Sequence, residues 1–91
     1  MEIKKETQFD ERDKKFWKKL KRLYLNFDWC PKTIEEADMT MLVINGARHY
    51  IIKNAAGKSE YYETNEYLDY WLPVGKTKEE AIKNTKRVHE D

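Results

Sequence analysis

The feature that most constrains the fold is the pair Asn45-Gly46, which lies between two runs of β-branched and aromatic residues, TMLVI and ARHYIIK. Asn and Gly tolerate the positive φ angles that both central positions of a tight hairpin turn require. Runs of this composition are typical of strands. The pattern therefore predicts an antiparallel β-hairpin over residues 40–54.

Further strand signals follow the hairpin. The segment NAAGK, at 54–58, predicts a second turn, and SEYYE, at 59–63, predicts a third strand. The next segment, TNEYLDYWL at 64–72, fits two structures. Its density of aromatic residues favours a fourth strand with alternate side chains on two faces, whereas Thr64 is a suitable cap for a short helix. We therefore expect a sheet of three or four strands and leave residues 64–72 open between strand and helix.

The segment FDERDKKFWKKLKRLYLNF predicts a helix over about residues 10–27. Phe16, Leu20, Leu23 and Phe27 recur at spacings of four, three and four residues, which places them on one face of a helix. Acidic residues cluster in the first turn, where they meet the positive end of the helix dipole. We expect this apolar face, and Leu20 and Leu23 in particular, to supply much of the core.

The segment Gly75-Lys76-Thr77 ends as a phosphate-binding loop does, but that motif requires a glycine at position 70, where the chain has Tyr70. The pattern K-T-x-E-E-A occurs twice, at 32–37 and at 76–81. Its physical content is a helix cap, in which the Thr hydroxyl accepts from the N3 amide and the N3 Glu reaches back. Thr33 and Thr77 are thus predicted to cap a short helical turn and a C-terminal helix, and no nucleotide site is expected.

These elements predict an α+β fold: an N-terminal helix, a three- to four-stranded antiparallel meander and a C-terminal helix, arranged as a two-layer sandwich. The length of 91 residues corresponds to one domain, which we expect over 9–91 after a flexible segment at 1–8. No apolar run approaches the ~20 residues of a membrane span, and residues 1–15 have no apolar region of the kind found in secretory signals. We expect a soluble, cytoplasmic protein.

Residue types that perform catalysis are sparse. Cys30 is the only cysteine, so neither an intrachain disulfide nor a cysteine metal cluster is possible. We expect His49 to be a structural residue of a strand and His89 to be a solvated cation near a helix end. No nucleophile elbow with glycines on both sides surrounds Ser59, because position 61 is Tyr61. The sequence therefore favours a non-enzymatic protein with no metal, cofactor or small-molecule substrate.

The net charge of +1 conceals an uneven distribution. Residues 1–32 contain ten basic and six acidic residues, whereas residues 33–72 contain three and seven. The acidic part is rich in Tyr and Trp, which are enriched at interaction hot spots. It predicts an acidic, tyrosine-rich surface that binds a basic surface of a partner protein. The residues of this surface are Glu60, Tyr61, Glu63, Glu66, Tyr67, Asp69 and Trp71.

The basic part predicts a second candidate surface on the N-terminal helix. Six cations occupy most of its polar arc and would attract phosphates or an acidic partner. This nucleic-acid-binding face comprises Lys14, Lys15, Lys18, Lys19, Lys21 and Arg22.

The leading hypothesis is a small protein-binding protein, monomeric or weakly dimeric. By analogy of class it is similar to accessory inhibitors and regulators carried by bacteria and phages, including anti-restriction and anti-CRISPR proteins. The alternative is a nucleic-acid-binding accessory protein that uses the basic face.

Overall fold

A computed structural model describes residues 2–4, 8–55 and 60–90 of the chain. Within these ranges the predicted α+β class is confirmed: a short first strand is followed by a helix, an antiparallel meander and a final helix. Part of the predicted turn at 54–58 lies outside the described residues. The elements are β1 (Glu2–Lys4), α1 (Glu11–Tyr24), α2 (Ile34–Ala37), β2 (Thr40–Ile44), β3 (Ala47–Lys53), β4 (Tyr61–Asn65), β5 (Leu72–Gly75) and α3 (Lys78–His89).

The strands form one antiparallel sheet in the order β1-β2-β3-β4-β5. Strand β1 pairs with β2, with Ile3 opposite Leu42, although the sequence analysis expected a flexible segment at 1–8; residues 1 and 5–7 lie outside the described part. The segment 64–72 is neither a whole strand nor a helix. Its first two residues complete β4, a turn and loop follow at 66–71, and β5 begins at Leu72.

The predicted hairpin is confirmed. Strands β2 and β3 pair from Thr40 opposite Ile51 to Ile44 opposite Ala47, and the two residues between them are Asn45 and Gly46. Their φ angles are 51° and 80°, as a two-residue turn with positive φ at both positions requires.

A helix covers each face of this sheet. On one face, Phe16 and Leu20 of α1 pack in a cluster with Tyr50. On the other, Ala81 of α3 packs in a cluster with Ile51. Because consecutive residues of a strand point to opposite faces, α1 and α3 lie on opposite sides of the sheet. Each helix forms with the sheet the two-layer arrangement expected from the sequence. Because α3 lies on the face opposite to α1, it adds a further layer.

Helix α1 ends at Tyr24, before the predicted end near Phe27. Leu20 is fully buried, but Leu23 and Phe27 are 47% and 53% exposed. The prediction that Leu23 belongs to the core is therefore wrong, as is the prediction that Phe27 continues the core face. The residues that α1 buries are Asp13, Phe16 and Leu20.

A network of charged groups fastens the start of α1 to β3. The Arg48 guanidinium donates to both oxygens of the Asp10 carboxylate and to Oδ1 of Asp13, each at 2.7 Å. The Tyr50 hydroxyl donates to the same Asp13 oxygen at 2.7 Å. Asp10 and Asp13 also form a capping box at the N-terminus of α1. The hydrogen bond to Asp10 raises the pKa of Arg48, and burial followed by the bond to Asp13 raises the pKa of Tyr50.

A second polar contact joins α2, β4 and α3. Asp38, the C-cap of α2, has a φ of 46°. Its carboxylate accepts from the Tyr61 hydroxyl at 2.7 Å and from the Lys78 ammonium. Partial burial acts to raise the pKa of Asp38, but the hydrogen bonds from Lys78 and Tyr61 lower it below its usual value. Burial and the bond to Asp38 raise the pKa of Tyr61 to about 12.

Both predicted threonine caps are confirmed. Oγ1 of Thr33 accepts from the Glu36 amide and Oγ1 of Thr77 from the Glu80 amide, each at 3.1 Å. Gly75 has a φ of 152°, and a Cβ at this position would lie 2.9 Å from Cγ of Glu80. Close packing of Glu80 thus accounts for the glycine of the Gly-Lys-Thr segment without a phosphate.

We expect Arg48→Met to lower the free energy of unfolding by about 3–5 kcal/mol, because it leaves the Asp13 carboxylate buried without its cation. Urea denaturation followed by tryptophan fluorescence measures this loss. Arg22→Met removes an exposed guanidinium from α1 and should change stability by no more than about 0.5 kcal/mol. Similar losses in the two variants would show that the network does not hold α1.

We expect stability to fall at alkaline pH through Tyr61. The folded pKa, about 12, lies above the ordinary value of about 10. The contribution of this hydroxyl is therefore complete below about pH 10 and is lost as the pH rises through the folded pKa. The free energy of unfolding, measured between about pH 8 and 12, should decrease more steeply for the native chain than for Tyr61→Phe. Parallel curves would refute this assignment.

Candidate functional site

The structure divides the predicted acidic, tyrosine-rich surface among different environments. Tyr61 and Glu63 point to the α3 face of β4 and are buried. The prediction that these two residues form part of an exposed surface is wrong, because β4 lies between β3 and β5 and its two faces are covered by opposite helix layers.

The other five residues of that surface lie nearer to solvent. The Glu66 carboxylate pairs with the guanidinium of Arg12 on α1, with Nε–Oε2 at 3.2 Å. Tyr67 and Asp69 are exposed, and Glu60 and Trp71 are half-buried. This acidic surface is therefore discontinuous, and its exposed members, Tyr67 and Asp69, lie in the loop at 66–71.

The loop at 66–71 is ordered by the side chain of Asn65. Its Oδ1 accepts from the backbone amides of Tyr67 and Asp69, each at 3.1 Å. Leu68 adopts a positive φ of 58° and packs against the core cluster beneath α1. This turn directs the chain back to the sheet, so that Trp71 lies against the end of α1.

Four aromatic rings gather where α1 ends. Trp29 lies 5.1 Å from Tyr24 and 5.2 Å from Trp71 between ring centroids, and Phe27 lies 6.0 Å from Trp29. The rings are tilted or edge-on to one another, which is the arrangement that aromatic quadrupoles favour. Phe27 forms the exposed side of this cluster.

An open cavity of about 230 Å³ lies beside the cluster, on the α1 face of the sheet. Its walls are apolar and aromatic apart from Asn54. The volume is below the ~300–1,000 Å³ typical of small-molecule pockets, so the cavity better matches one large side chain than a whole cofactor. The residues that line it are Trp29, Ile52, Asn54, Tyr62 and Trp71; together with Phe27 we call them the aromatic groove.

The predicted basic face of α1 is only partly free. The Lys19 ammonium donates to the carbonyl of Tyr67 at 3.1 Å, and that of Lys21 donates to the carbonyl of Pro31 at 2.8 Å. Both contacts hold loops against the helix. The four remaining cations, which are exposed on the side of α1 away from the core, are Lys14, Lys15, Lys18 and Arg22.

The two histidines, which the sequence analysis treated separately, meet on the α3 face. The rings of His49, on β3, and His89, at the end of α3, stack with centroids 4.0 Å apart. Nδ1 of His49 lies 3.2 Å from Oε2 of Glu63, and Nε2 of His89 lies 2.7 Å from Oε1. The Tyr70 hydroxyl donates to Oε2 of Glu63 and lies 3.4 Å from Nδ1 of His49. We call these four residues the histidine cluster.

The cluster corrects two expectations. His89 is not a fully solvated side chain, since it is 24% exposed and contacts Glu63. Glu63 is fully buried and serves as the centre of the cluster. His49 is buried. Burial and the hydrogen bond to Glu63 raise the pKa of Tyr70, the fourth residue of the cluster. Its hydroxyl therefore remains a hydrogen-bond donor.

The proximity of His49 and Glu63 within this cluster follows from the pairing of two neighbouring strands. Strands β3 and β4 pair with Ile51 opposite Glu63 and His49 opposite Asn65, so His49 and Glu63 are diagonal neighbours on one face. That register depends on the turn between the strands. The approach of His89 depends on which face α3 covers, and no local pattern specifies that choice.

In the part of the chain that the structure describes, no helix is long and apolar enough to cross a membrane. Comparisons of the chain with models of protein families, with curated proteins and with solved structures gave no match.

Proposed function

We propose that this chain is a small protein-binding protein of the cytoplasm that docks its aromatic groove on a partner protein with a basic surface. The observation that carries the proposal is the open cavity of about 230 Å³ beside the exposed ring of Phe27. Pockets of this kind accept one buried anchor residue of a partner, and such anchors supply most of the binding energy of protein interfaces.

The composition of the groove supports a protein partner over a small molecule. Small-molecule sites combine apolar walls with several convergent polar groups, whereas the cavity walls contain one amide, that of Asn54, and the Tyr62 hydroxyl, which donates to Glu60 at 3.3 Å. Tyr and Trp, which form most of the lining, are enriched in protein interfaces. Leu23 and Leu25, exposed at the same end of α1, extend the apolar surface.

Three acidic residues close to the groove in the chain support a basic partner; Lys53, which is also adjacent in the chain, alternates to the opposite face of β3 from Ile52. Asp28 precedes Trp29 and is exposed, Glu60 contacts Tyr62, and Asp69 lies two residues before Trp71. Charge complementarity accelerates association and selects the partner. The proposal thus keeps Glu60, Tyr67, Asp69 and Trp71 of the predicted surface. It omits the buried Tyr61 and Glu63 and also Glu66, which pairs with Arg12.

By analogy of class, this binding would inhibit or regulate the partner, as anti-restriction and anti-CRISPR proteins do. Such a role needs no catalytic group on this chain. It needs a rigid surface that occupies a functional region of the partner, and the ordered turn at Asn65 and the packed aromatic rings supply rigidity at the groove.

Selection from a random peptide library against the immobilised protein tests the proposal without knowledge of the partner. We expect the enriched peptides to carry one large apolar residue flanked by Lys or Arg. Phe27→Ser should weaken the binding of such a peptide at least about tenfold, the equivalent of 1.4 kcal/mol, as measured by the change in tryptophan fluorescence on titration.

Val88→Ser is the matched control for Phe27→Ser. Val88 is 52% exposed and Phe27 is 53% exposed, but Val88 lies on α3, across the sheet. Both substitutions should leave stability nearly unchanged. Enrichment of acidic peptides, or equal binding to both variants, would contradict docking at the groove.

One observation favours nucleic-acid binding as a second candidate function. Lys14, Lys18 and Arg22 are exposed and spaced four residues apart, so they form a single line of positive charge along α1. Such a line suits a row of phosphates.

If α1 binds nucleic acid, charge reversal of Lys14, Lys18 and Arg22 to Glu should abolish the binding, because it removes the phosphate contacts. Each lost phosphate contact should also lower the slope of log affinity against log salt concentration by about one. Fluorescence anisotropy with a labelled duplex over a salt series measures this. The matched triple reversal of Lys83, Lys86 and Arg87 on α3 should bind as the native chain does. Absence of native binding at physiological salt would remove this second candidate.

A further inference from the structure

We propose that the histidine cluster is a binding site for one divalent cation of the zinc class, with His49, Glu63 and His89 as ligands. This inference goes beyond the proposed function, because it concerns the opposite face of the sheet. The bound ion would clamp the end of α3 to strands β3 and β4.

The donor set is the first argument. Two imidazole nitrogens and one carboxylate oxygen form a common protein ligand set for Zn²⁺, and imidazole favours zinc and its first-row neighbours over Mg²⁺ or Ca²⁺. The three residues come from three different elements, β3, β4 and α3, and their donor atoms all lie within 4.8 Å of one another. The pairing of β3 with β4 places His49 near Glu63, but the approach of His89 from α3 is not produced by local sequence effects.

The distances are the second argument. With zinc–ligand bonds of about 2.0–2.2 Å, two ligands of a tetrahedral site are about 3.3–3.5 Å apart. The corresponding contacts of Glu63 are 3.2 Å to Nδ1 of His49 and 2.7 Å to Nε2 of His89. One carboxylate oxygen faces each imidazole nitrogen. An ion between them would take the place of these two hydrogen bonds.

The charge balance is the third argument. Two carboxylates of the described residues are fully buried among hydrogen-bond partners, those of Asp13 and Glu63. Asp13 is neutralised by Arg48 at 2.7 Å. Within the described ranges, the ion pairs of Glu63 are to histidines alone. A bound divalent cation would place a full positive charge beside this buried carboxylate.

The surroundings complete the site. The Tyr70 hydroxyl donates to Oε2 of Glu63, as outer groups that orient a metal-bound carboxylate do. The side chain of Asn45, in the β2–β3 turn, donates to the carbonyl of His89 at 3.1 Å and holds the end of α3 in place. The His89 side chain is 24% exposed, so an ion can enter from solvent and a water molecule can occupy a fourth position.

The test uses the full chain without a histidine tag, stripped of metal by a chelator and titrated with Zn²⁺ in a calorimeter. We expect one equivalent to bind. At a free Zn²⁺ concentration 100-fold above Kd, the thermal midpoint should rise by at least about 10 °C, given the usual relation between ligand binding and unfolding for a domain of this size. Co²⁺ in place of Zn²⁺ should give the visible absorption of a tetrahedral nitrogen and oxygen site.

Variants separate specific ligation from adventitious binding. His89→Gln should weaken Zn²⁺ binding at least about 100-fold, and Tyr70→Phe, which removes only the supporting hydroxyl, should weaken it about 10- to 100-fold. Glu90→Gln changes an exposed carboxylate next to His89 and should bind Zn²⁺ as the native chain does.

Absence of saturable binding to the native chain would overturn the proposal, as would unchanged affinity in His89→Gln. Should His89→Gln fail to fold, Tyr70→Phe and Glu90→Gln decide the matter: equal affinities in these two variants would overturn the site. Failure of this test leaves docking at the aromatic groove unaffected, because no residue of the groove belongs to the cluster.

Discussion

The pairing of Arg48 with Asp13 and Asp10 is the interaction on which the rest of the structure depends. A fully buried carboxylate is tolerated only with a charged or hydrogen-bonded partner, so Asp13 fixes the first turn of α1 over β3. The capping box uses the same two carboxylates, which joins the initiation of the helix to its docking. Once the start of α1 is fixed, the length of the helix determines how much of this face of the sheet it covers. The aromatic groove occupies the part of that face beyond the helix.

The two faces of the sheet differ in the chemistry that they offer. On the α1 face, apolar rings surround an open cavity, and contact with a partner would exclude water from it. On the α3 face, polar groups converge at the end of the helix on a single carboxylate, that of Glu63. Neighbouring residues of β4 contribute to the two sites: Tyr62 lines the groove, and Glu63 lies at the centre of the histidine cluster. A change in the register of β4 by one residue would exchange these side chains and destroy both sites.

The hairpin, the caps and the succession from α1 through the meander to α3 were predictable because local chemistry specifies them. Asn45-Gly46 accepts positive φ, and Thr33 and Thr77 satisfy free amides at helix starts. The layer that each helix covers was not predictable, since it is decided by packing between distant segments. The same limit applies to Glu63: its acidity and its aromatic neighbours indicated an exposed surface, but burial on a central strand requires knowledge of both covering helices. On the basic side of α1, four cations are exposed, while Lys19 and Lys21 contact loops whose positions follow from the tertiary fold.

Strand β5 forms one edge of the sheet, and edges of this kind can recruit strands from other molecules. This edge is a poor template for such growth. It is four residues long, it contains Pro73, which has no amide hydrogen to donate, and its register with β4 shifts at Tyr61 and Tyr62. An apolar groove exposed on a neighbouring surface would raise the risk of aggregation. Because β5 is a poor template for pairing, transient self-association through the groove would not extend along this edge into a continuous intermolecular sheet.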